Sequence, residues 1–177
     1  MKKVRPLVSE QAMRDVVAEL SSRDKRLAKI IAAHPLCTIG RNSNPVTHFE
    51  SLVESVISQQ LAVKAADTIH ARVVSLAKGE INPKRVLKIS EAQMREAGVS
   101  GAKFKTIQGL AEAAHSKRIP INDLHKVESD LEIEKQLTSL WGIGPWTVDM
   151  FMMHQLGRLN IWPTGDLGVR RGFEKIY

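Results

Sequence analysis

The chain has 177 residues, 43% of them apolar and 25% charged, which is the composition of a folded globular protein and lies outside the disordered range. Lys and Arg number 26 against 19 Asp and Glu, a net charge of +7, so the long-range field attracts polyanions and favours nucleic acid over a membrane surface. The single cysteine, Cys37, excludes an intrachain disulfide, a thiolate zinc cluster and a four-cysteine iron–sulfur cluster, and no apolar run approaches the ~18 residues of a membrane span. The basic start, Met1-Lys2-Lys3-Val4-Arg5-Pro6, lacks the apolar stretch of a secretion signal, so an intracellular protein is expected.

Helical periodicity runs from end to end, and no segment alternates apolar with polar residues as a half-buried strand would; the chain reads as all-α. Met13, Val16, Val17 and Leu20, then Leu27, Ile30 and Ile31, keep the i, i+3, i+4 spacing of one-faced helices, ended by His34-Pro35. Thr47-x-x-Glu50 reads as a capping box that opens a helix carrying Leu52, Val53, Val56 and Ile57 inward. Ser58-Gln59-Gln60-Leu61 interrupts the pattern as a turn or exposed tip, and Ala62, Ala65, Ala66 and Ile69 support the next helix.

Asn82-Pro83 pairs a cap with a proline at the first helical position, Ser90-x-x-Gln93 is a second box, and Gly98 is a helix stop. Phe104, Ile107, Leu110 and Ala111 continue the periodicity to the Ile119-Pro120 loop, and Ser129-x-x-Glu132 caps the helix that leads into Leu140-Trp141-Gly142-Ile143-Gly144-Pro145-Trp146-Thr147. The glycines there allow backbone angles closed to other residues, and Pro145 presets a helical turn, so residues 137–157 read as a helix-hairpin-helix. Amides left unpaired at a helix start, with its positive dipole end, suit a phosphate and read no base. Taken alone, the same tetrapeptide can simply join two packed helices. No repeat or flexible linker divides the chain, so one domain over 1–177 is expected.

The stretch from Leu137 to Gly172, with Gly142-Ile143-Gly144-Pro145-Trp146-Thr147 followed by Gly165-Asp166-Leu167-Gly168-Val169-Arg170, resembles the helix-hairpin-helix DNA glycosylases, and within them the 3-methyladenine DNA glycosylase II branch. The similarity extends upstream through Phe49–Leu52, Ser58–Ala66 and Gly98–Lys103. It implies a helical domain of two lobes around a cleft, and an enzyme of base excision repair that flips alkylated purines such as 3-methyladenine and 7-methylguanine out of double-stranded DNA and hydrolyses the N-glycosidic bond. A monomer is expected, with no cofactor required.

Relatives with lyase activity carry a nucleophilic lysine at the position of Trp146, so the resemblance implies a monofunctional enzyme that uses water. It further implies that Gln59, Gln60 and Leu61 enter the minor groove, Leu61 as the apolar wedge, and that Lys103, Gly142, Gly144 and Thr147 contact DNA. The alternative is that Leu61 is a core residue and the glutamines only solvate a turn. Asp166 is the carboxylate expected to stabilise positive charge developing on the sugar, and it also has the character of a helix N-cap. Asp149, inside a helix, is the rival acid.

Trp146, Met150 and Trp162 are candidates to line the base pocket, although Trp and Met at helical spacing serve packing just as well. The carbonyls of Thr138, Leu140 and Ile143 match those that hold a monovalent cation, Na⁺ or K⁺, in family hairpins. Family members usually continue beyond the helix after the aspartate, so the last helices are expected to be missing from residues 1–177. The competing reading is a helix-hairpin-helix module that binds DNA and cuts nothing.

Overall fold

The computed structural model describes residues 8–40 and 46–177. The basic segment before Leu7, on which the sequence reading touched, lies outside them. Among the described residues the secondary structure is helical throughout: α1 (Glu10–Arg23), α2 (Lys25–Ala32), α3 (His48–Ser58), α4 (Val63–Leu76), α5 (Pro83–Val86), α6 (Glu91–Glu96), α7 (Gly101–His115), α8 (Asp130–Thr138), α9 (Pro145–His154) and α10 (Leu167–Ile176). A 3₁₀ turn over Ile121–Lys126 links α7 to α8. No helix of the described residues is long and apolar enough to cross a membrane.

Local chemistry sets the helix starts. The hydroxyls of Ser9, Thr47, Ser90, Ser100 and Ser129 each accept an amide N–H from the first turn that follows, which satisfies donors the helix cannot. At Ser90 the reciprocal half of the box is also made, since the Gln93 side chain accepts the Ser90 amide at 2.9 Å. Asn82 caps α5 with Pro83 at its first position, and α6 is followed by Gly98 at φ 101°, as the sequence predicts. The helix entering the hairpin starts at Asp130, well before residue 137, because Ser129 is its cap.

The backbone divides into two compact units. The larger, Val46–Phe151, is organised on α3, which packs against α4, α7 and the 3₁₀ turn. Phe49, Leu52, Val53, Val56 and Ile57 of α3 are fully or almost fully buried, together with Ile107 and Leu110 of α7 and Ile133 and Leu137 of α8. Removing such a side chain, as in Leu52→Ala, costs about 2–5 kcal/mol in well-packed cores. The helix that Ala62, Ala65, Ala66 and Ile69 support is α4; its buried residues are Ala66 and Val73, Ala65 is exposed, and Ala62 is its N-cap.

The smaller unit combines the described residues before Val46 with Met152–Tyr177. Asp24 organises one end of it. Its carboxylate caps α2 by accepting from the amides of Arg26 and Leu27 at 2.8 and 3.0 Å and also accepts the Tyr177 hydroxyl, while the Arg26 guanidinium lies over the Tyr177 ring. The C-terminal end of α10 is thereby tied to the junction of α1 and α2.

Candidate functional site

Two loops of the larger unit carry most of the residues singled out in the sequence. The first is the turn after α3. Gln59 has φ −49° and ψ 125°, Gln60 has φ 56°, and the Leu61 amide donates to the Ser58 carbonyl at 3.1 Å, the pattern of a type II turn. That turn type normally takes glycine at its third position; here a glutamine occupies it, at a cost of order 1 kcal/mol. Gln60 points outward and Leu61 is 39% exposed, so Leu61 is an apolar tip and not a core residue.

The second loop is the hairpin between α8 and α9. Gly142 takes φ 81°, and a Cβ there would lie 2.1 Å from Oγ1 of Thr106 on α7. Its side chain is excluded on two counts, backbone angle and space. Gly144 differs: its φ is not positive, and a Cβ would meet nothing within 4 Å. Nothing inside the fold requires glycine at 144, and the open space above it leaves the backbone approachable from outside. The amides of Gly142 and Gly144 have no backbone acceptor among the described residues, which leaves two donors near the start of α9.

The two loops are joined. Gln59 donates its side-chain amide to the Gly142 carbonyl at 3.3 Å and to the Thr147 hydroxyl at 3.2 Å. Thr147, expected on DNA, is 3% exposed: its hydroxyl receives Gln59 and its amide donates to the Gly144 carbonyl. Lys103, likewise expected on DNA, turns its ammonium to the protein backbone. Its ammonium donates to the carbonyls of Ile57 and Gln59, both at 2.8 Å, and burial pulls its pKa below the ordinary lysine value.

In α9, Trp146 is 40% exposed in the first turn and Met150 is half-buried one turn further on. Asp149 is half-buried on the same helix, where burial and the neighbouring Glu134 raise its carboxyl above the ordinary aspartate value. The hairpin carbonyls are compatible with a monovalent cation as a donor set, being neutral oxygens at the negative end of α8. The Leu140 carbonyl accepts the Ile143 amide at 3.2 Å and keeps a second lone pair.

Asp166 and Trp162 belong to the smaller unit. Asp166 is the N-cap of α10: Oδ1 accepts the Val169 amide at 2.8 Å, and a Cβ on Gly168 would stand 3.1 Å from that same oxygen. The Val169 amide therefore helps to orient the carboxylate, and Gly168 gives it room. Trp162 is 65% exposed and meets Phe173 edge-on, with ring centroids 6.2 Å apart, along a shallow depression that also involves Thr164 and Arg170.

Sequence reasoning passed over three contributors. Thr106 seats Gly142, Gly168 makes room for Asp166, and Lys105 holds its ammonium 4.5 Å from the centre of the exposed Trp141 ring. Only Gly168 had a local signal, its place two residues after the cap. The other two are contacts between residues more than thirty positions apart, which periodicity does not encode.

Residues 53–177 match the model of the HhH-GPD superfamily of base excision DNA repair proteins. Over 155 residues, 86% of this chain, the sequence is 32% identical to DNA-3-methyladenine glycosylase 1 of Schizosaccharomyces pombe and spans 67% of that protein. It is 33% identical to the DNA-3-methyladenine glycosylase of Saccharomyces cerevisiae over 72% of this chain and 46% of that one. Among solved structures, the DNA-3-methyladenine glycosidase of Bacillus halodurans superposes with a TM-score of 0.81 at 34% identity, covering 91% of this chain and 73% of that one. The Schizosaccharomyces pombe 3-methyladenine DNA glycosylase in complex with abasic DNA gives 0.79 at 29% identity, covering 92% and 80%.

Proposed function

The chain belongs to the HhH-GPD superfamily of base excision DNA repair proteins, and we propose that it is a monofunctional glycosylase releasing alkylated purines such as 3-methyladenine and 7-methylguanine from double-stranded DNA. Similarity at 32 and 34% identity to two proteins named for 3-methyladenine release carries this reading. The geometry supports it at three points: two hairpin amides without a backbone acceptor among the described residues, an outward tip at Gln60-Leu61, and a carboxylate held at a helix start.

In this reading the amides of Gly142 and Gly144 hold a phosphate of the DNA backbone, and the Gln60-Leu61 tip fills the space of the extruded nucleotide. Extrusion costs a few kcal/mol and is needed because a stacked base hides its glycosidic bond. Alkylation at a ring nitrogen leaves a cationic purine that departs readily, so the demand on the protein is to stabilise the positive charge left on the sugar. Asp166 meets that demand. A carboxylate about 4 Å from the developing charge contributes roughly 4 kcal/mol at an effective dielectric near 20, about a thousandfold in rate.

Water then takes the anomeric carbon. Trp146 stands where a lyase would carry its lysine, so no Schiff base forms at this position. The Trp146 face suits a cationic base, with Met150 one turn further along α9, and Trp162 of the smaller unit offers an exposed aromatic face of the same chemistry. The carbonyls of Thr138, Leu140 and Ile143 would hold Na⁺ or K⁺, which would supply a positive charge at the hairpin.

The test incubates the protein with methylated duplex DNA and measures free 3-methyladenine and 7-methylguanine. Release by wild type and its loss in Asp166→Asn are expected. Salt-sensitive DNA binding by a folded protein that releases no base would replace the enzyme with a binding module.

A further inference from the structure

We infer that Lys103 is a positioning residue that braces the Gln60-Leu61 tip from behind, so that the tip keeps its shape while it displaces a paired base. The inference rests on the glycosylase reading above and assigns Lys103 a task inside the protein in place of a contact with DNA.

Lys103 lies in the first turn of α7, where its own amide already donates to the Ser100 hydroxyl. A cation at that end of a helix opposes the macrodipole, so the residue has no local reason to be there. Its ammonium is instead directed to another element. It donates at 2.8 Å to the Ile57 carbonyl, in the last turn of α3, and at 2.8 Å to the Gln59 carbonyl, inside the type II turn. These are acceptors that a helix C-terminus leaves unpaired, next to the negative end of the α3 dipole. One nitrogen thus fastens the end of a buried helix to the turn it supports.

The turn needs such a brace. Gln60 sits at φ 56°, where a residue with a Cβ is strained, and the turn's own bond is the single Leu61-to-Ser58 link. Its outer face, Gln60, Leu61 and the 76% exposed Val63, has no packing in front of it. A load of a few kcal/mol from a base stack would relax the turn before it displaced a base, unless the backbone were held from the other side. The second restraint, Gln59 on the hairpin, acts through a side chain; Lys103 acts on the backbone itself.

The experiment measures single-turnover release of 7-methylguanine from two DNAs, one with the lesion paired to cytosine and one with the lesion unpaired in a bulge. An unpaired base needs little displacement. Lys103→Gln is expected to slow release from the paired duplex by about tenfold or more and to leave the bulge within about threefold, with Lys103→Arg recovering most of the loss. Circular dichroism and thermal unfolding follow the fold. If Lys103→Gln does not fold, Lys103→Arg, whose planar fork cannot set one nitrogen between both carbonyls, enters the same comparison and is expected to show a smaller loss confined to the paired duplex.

Equal losses on both DNAs, or no loss on either, would overturn the role. A wild type that releases base from neither DNA removes the glycosylase reading and this one with it, whereas an active wild type with a uniform defect in the variants removes this one alone.

Discussion

The side-chain amide of Gln59 donates to the hydroxyl of Thr147 across 3.2 Å, linking the turn after α3 to the first turn of α9. The two residues are 88 positions apart, and Thr147 is buried, so its hydroxyl depends on partners inside the protein. A double-mutant cycle with Gln59→Ala and Thr147→Ala is expected to give a coupling of about 1 kcal/mol in urea unfolding. Additive effects would mean that the bond contributes nothing to the joint between the two loops.

The two hairpin glycines should fail in different ways. Gly142→Ala meets Thr106 at 2.1 Å with φ at 81°, so a stability loss above about 2 kcal/mol is expected, only partly recovered when Thr106 is also changed to Ala, because the Thr106 Cβ at 3.1 Å and the φ remain. Gly144→Ala has open space and no positive φ; it should fold normally and, in the proposed binding mode, bind duplex DNA more weakly, by about tenfold, since a methyl would stand where that mode brings a phosphate. Thermal unfolding and fluorescence-anisotropy titration separate the two. A Gly144→Ala protein that binds like wild type would place the phosphate elsewhere.

Charge and cap can be separated at Asp166. Asn caps about as well as Asp, so Asp166→Asn should keep the Val169 bond and stability within about 1 kcal/mol while losing about a thousandfold in base release. Asp166→Ala should lose both. Gly168→Ala, which crowds Oδ1 from 3.1 Å, should slow release by about tenfold or more with stability unchanged or slightly raised, as Ala favours the helix. Single-turnover assays beside thermal melts test all three; a full rate in Asp166→Asn would take the charge out of the mechanism.

Stability should fall on mild acidification. Burial, and then the facing His125 at 3.2 Å, hold the His48 imidazole below the ordinary histidine value, while Asp123 works the other way. A depressed folded value means that the neutral ring is the one the fold favours, so its stability is complete above the unfolded value near ~6.5 and is lost as the pH falls through the folded value. Glu50, raised first by burial, has the opposite sign, so the difference between wild type and His48→Gln is the quantity to measure by urea unfolding between about pH 7 and 5. Parallel curves would remove His48 as the source.

How far the sequence carried depends on the range of the interaction. The caps at Thr47, Asn82, Ser90, Ser129 and Asp166 were legible because a cap bond spans two or three residues, and the apolar face of α3 because helical phase is local. The tip at Gln60-Leu61 and the hairpin were legible as interruptions of that phase. The burial of Thr147 and the partners of Lys103 were not, since each is set by an element far along the chain.

By itself the sequence determined the helical class and the placing of the turns, because these depend on residue type at fixed spacing. The tertiary structure alone decided that the fold requires glycine at 142 and not at 144, and that the Lys103 ammonium meets the carbonyls of Ile57 and Gln59. Both turn on α7, whose Thr106 and Lys103 meet the hairpin and the tip through side-chain contacts that no spacing in the chain records.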